Sequence, residues 1–141
     1  MPSSPEIHSI KERVSTSTEE DGKRKSILIY SPDLNFCFSL SMLFQDRYTV
    51  STTTNLSMLE TFVANYAIDL IIIDAVPSSR IIERLNAMRG LRCKLPIIML
   101  YVYNAQDLQL DHAIRDHVDS VFYKPFEISA VSKRIEELLP P

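Results

Sequence analysis

The fold is decided by residues 69–101, which read DLIIIDAVPSSRIIERLNAMRGLRCKLPIIMLY. Near each end of this stretch lies a short run that is continuously apolar rather than alternating, at 71–73 and 97–100. Continuous apolar runs are typical of central strands in a parallel sheet with helices on both faces. Between the two runs, Ile81, Leu85 and Met88 recur at helical spacing. The stretch therefore predicts a strand–helix–strand unit in the middle of a parallel sheet.

The same alternation of short apolar runs and helical patterns continues on both sides of this unit. The predicted strands are Ser26–Tyr30, Tyr48–Ser51, Asp69–Ile73, Pro96–Tyr101 and Ser120–Tyr123. The apolar positions of the other helices are Phe36, Cys37, Leu40, Leu43 and Phe44 in the first, Leu56, Leu59, Val63 and Tyr66 in the second, Leu110, Ala113 and Ile114 in the fourth, and Ile128, Val131, Ile135 and Leu138 in the fifth. Repeated strand–helix units of this kind predict a doubly wound α/β domain, (βα)5, in which a five-stranded parallel sheet lies between two helix layers as a three-layer sandwich.

The domain is predicted to span residues 26–141, because the composition changes at its start. Residues 1–25 are rich in Ser, Thr, Pro and charged side chains, which is typical of a flexible tail. No apolar run is long enough to cross a bilayer, and the N-terminus shows no signal-peptide pattern. We therefore expect a cytoplasmic protein that does not enter a membrane.

Composition also disfavours several classes of function. Fifteen Lys and Arg against eighteen Asp and Glu give a net charge of −3, so there is no basic surplus for nucleic-acid binding. Cys37 and Cys93 are far apart and match neither a disulfide framework nor a zinc site, so both are expected to be buried thiols. Gly22 and Gly90 are too isolated to form a P-loop or a dinucleotide-binding loop.

Polar residues and prolines follow the predicted strands at the edge where an open parallel sheet carries its functional site. They are Ser31, Pro32 and Asp33 after the first strand, Asp74 after the third, Tyr101 at the end of the fourth, and Lys124 with Pro125 after the fifth. The motifs ILIYSPD, DLIIID, LPIIML and VFYKPF, in this order, resemble the receiver domain of bacterial response regulators over residues 25–139. The resemblance implies a flavodoxin-like fold and a role in two-component signal transduction. It also places Asp74 at the phospho-acceptor position and Lys124 at the position of a lysine that binds phosphoryl oxygens.

The sequence departs from the receiver pattern at two further pocket positions. Ser31 and Pro32 replace the acid pair that holds magnesium in the family, and neither supplies the carboxylate oxygen that Mg²⁺ prefers. Tyr101 replaces a small hydroxyl residue, and its ring is expected to fill or cover the pocket. Ser31 is instead predicted as a helix N-cap, with Pro32 at the first helical position and Asp33 in the first turn. Asp74 is then predicted to form an ion pair with Lys124.

These departures predict an atypical receiver, or pseudo-receiver. Such a protein acts in signal transduction through protein–protein interaction, without magnesium-dependent aspartyl phosphorylation; it is not an enzyme and holds no cofactor. The alternative is a phosphorylatable receiver that accepts a phosphoryl group on Asp74 from a histidine kinase or phosphotransfer protein. In that alternative Asp33 and Asp74 would hold Mg²⁺.

A second apolar stripe on the first helix predicts a surface for a partner. Leu34, Phe38 and Met42 recur at offsets 0, 4 and 8, on a different side from the core positions, so we expect them to be exposed. The resemblance implies partners such as a histidine kinase, a phosphotransfer domain or a separate output protein, and it leaves a homodimer open. The alternative is that apolar residues within 7–14 fold back over the stripe.

The fourth helix carries a second group of titratable residues. Asp111, His112, Asp116 and His117 include two candidate metal ligands, His112 and Asp116, at a spacing of four residues. Two ligands do not make a metal site. The pattern instead favours a solvated helix on which Asp111 pairs with Arg115.

Overall fold

One parallel sheet of five strands forms the centre of residues 24–140, the part of the chain described by the computed structural model. The strands are β1 (Ser26–Tyr30), β2 (Thr49–Thr53), β3 (Leu70–Asp74), β4 (Ile97–Tyr101) and β5 (Ser120–Tyr123). Their order in the sheet is β2-β1-β3-β4-β5, and every neighbouring pair is parallel. Every residue of β3 and β4 is buried. The predicted fold class is therefore confirmed, although β2 begins and ends later than predicted and β3 extends to include Asp74.

Helices cover both faces of this sheet. They are α1 (Leu34–Phe44), α2 (Leu59–Asn65), α3 (Ser79–Leu91), α4 (Leu108–His117) and α5 (Ile128–Leu138), with short 3-10 turns at Leu56–Met58 and Ala105–Asp107. Alternate strand residues face opposite layers, since successive side chains in a strand point to opposite sides. Leu28 and Ile71 belong to the core under α2, α3 and α4, whereas Ile27 and Ile72 belong to the core under α1 and α5.

Three residues predicted to be buried are exposed instead. Leu43 lies at the edge of the buried stripe of α1, which is formed by Cys37, Leu40 and Phe44. Tyr66 is the C-cap of α2 and has an extended backbone, so the helical spacing no longer applies to it. Cys93 lies beyond the end of α3 and is exposed, whereas Cys37 is buried as predicted.

The start of the described chain is attached to the sheet edge and to the end of α1. Arg24 donates hydrogen bonds to the carbonyl oxygens of Gln45 and Tyr48, and the carbonyl of Lys25 accepts from the amide of Thr49 at 2.9 Å. The rest of the predicted tail, including residues 7–14, lies outside the described residues. Within 24–140, no helix has the length and apolar character needed to cross a membrane.

Candidate functional site

The carboxyl ends of β1, β3 and β5 bring three predicted site residues together. Asp74 ends β3 and is only 7% exposed, while Ser31 follows β1 and is fully buried. The Ser31 hydroxyl donates to Oδ2 of Asp74 at 2.7 Å. Lys124, which follows β5, places its Nζ 2.5 Å from Oδ1 of the same carboxylate. Both oxygens of Asp74 are therefore already partnered within the protein.

Lys124 is held in place by its neighbours on the rim. Its amide donates to the carbonyl of Tyr101 at 2.9 Å, and its Nζ lies 4.9 Å from the centroid of the Phe36 ring. The Lys124–Pro125 peptide bond is cis. The ion pair predicted between Asp74 and Lys124 is present, whereas the hydrogen bond from Ser31 was not predicted.

The start of α1 differs from the prediction. Asp33, not Ser31, is the N-cap, and its Oδ1 accepts from the amides of Asn35 at 2.9 Å and Phe36 at 3.4 Å. The hydroxyl of Ser31 is used inside the rim, where it donates to Asp74 and accepts from the amide of Asp33 at 3.0 Å. The capping oxygen therefore has to come from the next polar residue in the chain. Pro32 precedes the cap rather than occupying the first helical position.

The residues at this end of the sheet do not fit a magnesium site. Ser31 offers a hydroxyl, Pro32 offers no side-chain ligand, and Asp33 is exposed and caps a helix. Mg²⁺ prefers carboxylate oxygens, and both oxygens of the Asp74 carboxylate are already in contact with Ser31 and Lys124. No group of three or more His, Cys, Asp or Glu within 24–140 could hold a metal ion, and this includes His112 and Asp116 on α4.

A second polar cluster lies beside this site and joins α4 to the strand ends. We call Tyr101, Asp111, Arg115 and Tyr123 the tyrosine–aspartate cluster. The hydroxyls of Tyr101 and Tyr123 donate to Oδ1 of Asp111 at 2.6 and 2.7 Å, and Nε of Arg115 donates to Oδ2 at 3.3 Å. Arg115 also donates to the hydroxyl of Tyr123 at 2.7 Å. The predicted pair of Asp111 and Arg115 is present, but Asp111 is only 8% exposed and not solvated as expected.

The contacts within the cluster lower the pKa of Asp111 and raise the pKa of Tyr101. Burial alone would raise the pKa of Asp111, but hydrogen bonds from Tyr101 and Tyr123 and the charge of Arg115 lower it below its usual value. Burial raises the pKa of Tyr101, and its hydrogen bond to the Asp111 carboxylate raises it further. The cluster therefore favours ionised Asp111 and neutral tyrosines at neutral pH.

A cavity of about 360 Å³ connects the two polar groups. Its lining includes Asp74 and Lys124 from the first group and Tyr101 and Asp111 from the second. Tyr101 therefore forms part of the cavity wall, and its hydroxyl is turned to Asp111. Sequence reasoning missed the role of Asp111. The sequence does contain one indication of this role, because the last two predicted strands both end in a tyrosine whose hydroxyl needs a partner.

The predicted stripe on α1 is exposed. Leu34 and Met42 are more than half exposed, and Phe38 is 65% exposed. The helix Leu34–Phe44 contains no charged residue, so no ionic group interrupts this apolar face.

Several solved structures align with this chain over most of its length. A CheY-like receiver domain protein from Methanospirillum hungatei aligns with a TM-score of 0.72 at 21% identity, over 82% of this chain and 93% of that chain. The chain has the fold of a response-regulator receiver domain. A two-component response regulator from Clostridium difficile aligns at 0.70 with 19% identity, over 82% of this chain and 96% of that chain. The chemotaxis protein CheY4 of Vibrio cholerae aligns with a TM-score of 0.68 at 21% identity, over 82% of this chain and 99% of that chain.

No family model and no curated protein matches the sequence. The receiver fold is nevertheless clear from the strand order β2-β1-β3-β4-β5 and from Asp74 at the end of the central strand β3. In this fold the ion pair of Asp74 with Lys124 lies at the carboxyl edge of the sheet, where open parallel sheets carry their ligand sites.

Proposed function

We propose that the protein is an atypical receiver, a pseudo-receiver that acts in signal transduction through contact with other proteins. In this proposal Asp74 is not phosphorylated by a magnesium-dependent reaction, the domain is not an enzyme, and it holds no cofactor. The observation that carries the proposal is the state of the Asp74 carboxylate, which is partnered by Ser31 on one oxygen and by Lys124 on the other.

The physical argument rests on charge. Phosphoryl transfer to a carboxylate brings anionic groups together, so a cation and fixed donors have to stabilise the transition state. Lys124 supplies one positive charge, and it is already paired with Asp74. The hydroxyl of Tyr101 donates to Asp111 and is therefore committed away from Asp74. These contacts support a domain in which the positive charge of Lys124 is balanced by the Asp74 carboxylate itself, without a phosphoryl group.

A small-molecule phosphodonor tests this proposal. Incubation with acetyl phosphate and Mg²⁺ is expected to leave the intact mass unchanged, because Ser31 and Pro32 supply no carboxylate to hold the ion beside Asp74. Asp74→Asn is the matched control and should give the same result. A magnesium-dependent gain of one phosphoryl group that Asp74→Asn abolishes would contradict the proposal. That outcome would favour the alternative, a phosphorylatable receiver in which a histidine kinase or phosphotransfer protein supplies the phosphoryl group to Asp74.

We further propose that the partner binds the exposed face of α1 formed by Leu34, Phe38 and Met42. This uncharged face suits an apolar surface on a histidine kinase, a phosphotransfer domain or a separate output protein.

Replacing Phe38 by Asp places a charge at the centre of this face. The change is expected to weaken binding of such a partner at least about tenfold, since central aromatic residues often carry much of the affinity of an interface. Affinity is measured by titration calorimetry with the purified partner. Ser39→Asp, at an exposed neighbouring position, is the control and should bind normally. Equal affinity of the Phe38→Asp variant and the unmodified protein would place the partner elsewhere.

A further inference from the structure

We infer that the tyrosine–aspartate cluster is a latch that fixes α4 to the ends of β4 and β5, whatever the charge state of Asp74. The inference deepens the proposed function, on which it rests, because it says how the rim of a pseudo-receiver stays in one conformation without a phosphoryl group.

The latch joins three separate elements. Asp111 and Arg115 belong to α4, Tyr101 is the last residue of β4, and Tyr123 is the last residue of β5. Tyr101 and Tyr123 are register partners in the parallel ladder, and their rings meet edge to face with centroids 5.6 Å apart. Both hydroxyls therefore reach the same carboxylate oxygen, and α4 cannot move away from the sheet without breaking both bonds.

The hydrogen bonds of the latch form a closed ring. Tyr123 donates to Asp111 and accepts from Arg115, while Arg115 also donates to Asp111. The guanidinium carbon of Arg115 lies 5.2 Å from the centroid of the Tyr123 ring, which adds a cation–π contact. A buried carboxylate is costly unless its oxygens are hydrogen-bonded, and here each oxygen of Asp111 has a donor. Moving α4 away from the strand ends would break the two tyrosine bonds to Asp111 and the bond from Arg115 to the Tyr123 hydroxyl together.

The latch adjoins the Asp74 site without depending on it. Tyr123 directly precedes Lys124, and the carbonyl of Tyr101 accepts from the Lys124 amide at 2.9 Å. The side chains nevertheless divide into two sets, since Lys124 pairs with Asp74 and the two tyrosines pair with Asp111. A ligand shifts a conformational equilibrium only through different affinities for the two states. Asp74 takes part in none of the hydrogen bonds of the latch, so a change of its charge should leave α4 in position.

Amide hydrogen exchange, measured by NMR, tests this inference on the full chain. Tyr101→Phe and Tyr123→Phe keep the aromatic rings and remove one hydroxyl each. Each is expected to accelerate exchange in α4 at least about tenfold relative to α2 and α5, because exchange reports the free energy of local opening. Tyr103→Phe is the matched control. The centroid of the Tyr103 ring lies 5.0 Å from that of Tyr123. Amide exchange in α4 of this variant should match that of the unmodified protein.

Two results would overturn the latch. One is unchanged exchange in α4 in both variants, and the other is an equal acceleration in every helix, which would mean that the hydroxyls support the whole fold and not α4. In Asp74→Asn, exchange in α4 should change no more than in α2 and α5, and a selective acceleration there would show that the latch does depend on Asp74. The readout needs neither Mg²⁺ nor a phosphodonor. Phosphorylation of Asp74 by the phosphodonor would therefore contradict the proposed function, whereas only the exchange rates in α4 test the latch.

Discussion

Ser31→Asp is expected to destabilise the fold by about 3 kcal/mol at neutral pH in the absence of divalent cations, since an uncompensated buried charge costs roughly this much. The hydroxyl of Ser31 is fully buried and lies 2.7 Å from Oδ2 of Asp74. The substitution exchanges a hydrogen-bond donor for a second carboxylate at this contact. Lys124 carries one positive charge, so it cannot balance both.

Magnesium should reverse part of this loss in the variant and have no effect on the unmodified protein. A ligand that binds only the folded state stabilises it by about 2.7 kcal/mol at one hundred times its dissociation constant. Adding Pro32→Asp completes an acid pair and should strengthen the magnesium response. The free energy of unfolding is measured by urea denaturation with and without MgCl₂.

Ser31→Asn is the control for size, because it has nearly the same shape as the aspartate and no charge. It should be less destabilising than Ser31→Asp and insensitive to magnesium. Equal losses in the two variants would show that the cost comes from packing and not from charge. A gain in stability of the unmodified protein in MgCl₂ would contradict the pseudo-receiver proposal itself.

The fold could be predicted because it depends on patterns that are local in the sequence. The apolar runs at 71–73 and 97–100 became the fully buried strands β3 and β4, since only a sheet covered on both faces buries every residue of a strand. The pairing of Asp74 with Lys124 followed from the same topology. In a parallel sheet the carboxyl ends of strands meet at one edge, so residues fifty positions apart in the chain become neighbours.

The details that could not be predicted depend on which of several partners a polar side chain selects. Ser31 and Asp33 are both good N-caps, and the sequence alone does not tell that the Ser31 hydroxyl is used by Asp74. Asp111 and Arg115 show the spacing of an ordinary surface ion pair. Their burial is decided by Tyr101 and Tyr123, which lie on other elements and meet Asp111 only in the folded chain.

Asp111 is the point at which these distant contacts determine stability, and its substitution should change how stability depends on pH. Asp111→Asn is expected to cost about 1–3 kcal/mol at pH 7, the range for leaving buried hydrogen-bonding groups unsatisfied. The amide keeps the shape of the carboxylate but loses the charge that Arg115 and the two tyrosine hydroxyls stabilise. Because the carboxylate lines an open cavity, water should moderate the loss, which favours the lower half of this range.

The sign of the pH effect follows from the direction of the pKa shift. In the folded protein the pKa of Asp111 is lowered, against burial, by its bonds to Tyr101 and Tyr123 and by Arg115. A lowered folded pKa contributes stability that is present above the unfolded value, about 3.9 for Asp, and that is lost as the pH falls towards the folded pKa. The unmodified protein should therefore lose more unfolding free energy than Asp111→Asn between pH 5 and the acid limit of folding.

Urea denaturation at a series of pH values measures this difference. Asp116→Asn removes an exposed acid from the same helix and should leave the shape of the curve unchanged. If the curves of Asp111→Asn and the unmodified protein run parallel in acid, the carboxylate gains nothing from its donors on folding. The hydrogen bonds of Tyr101 and Tyr123 would then not favour its ionised form. A converging pair of curves, with the gap between them closing as the pH falls, is what a buried carboxylate held by three donors requires.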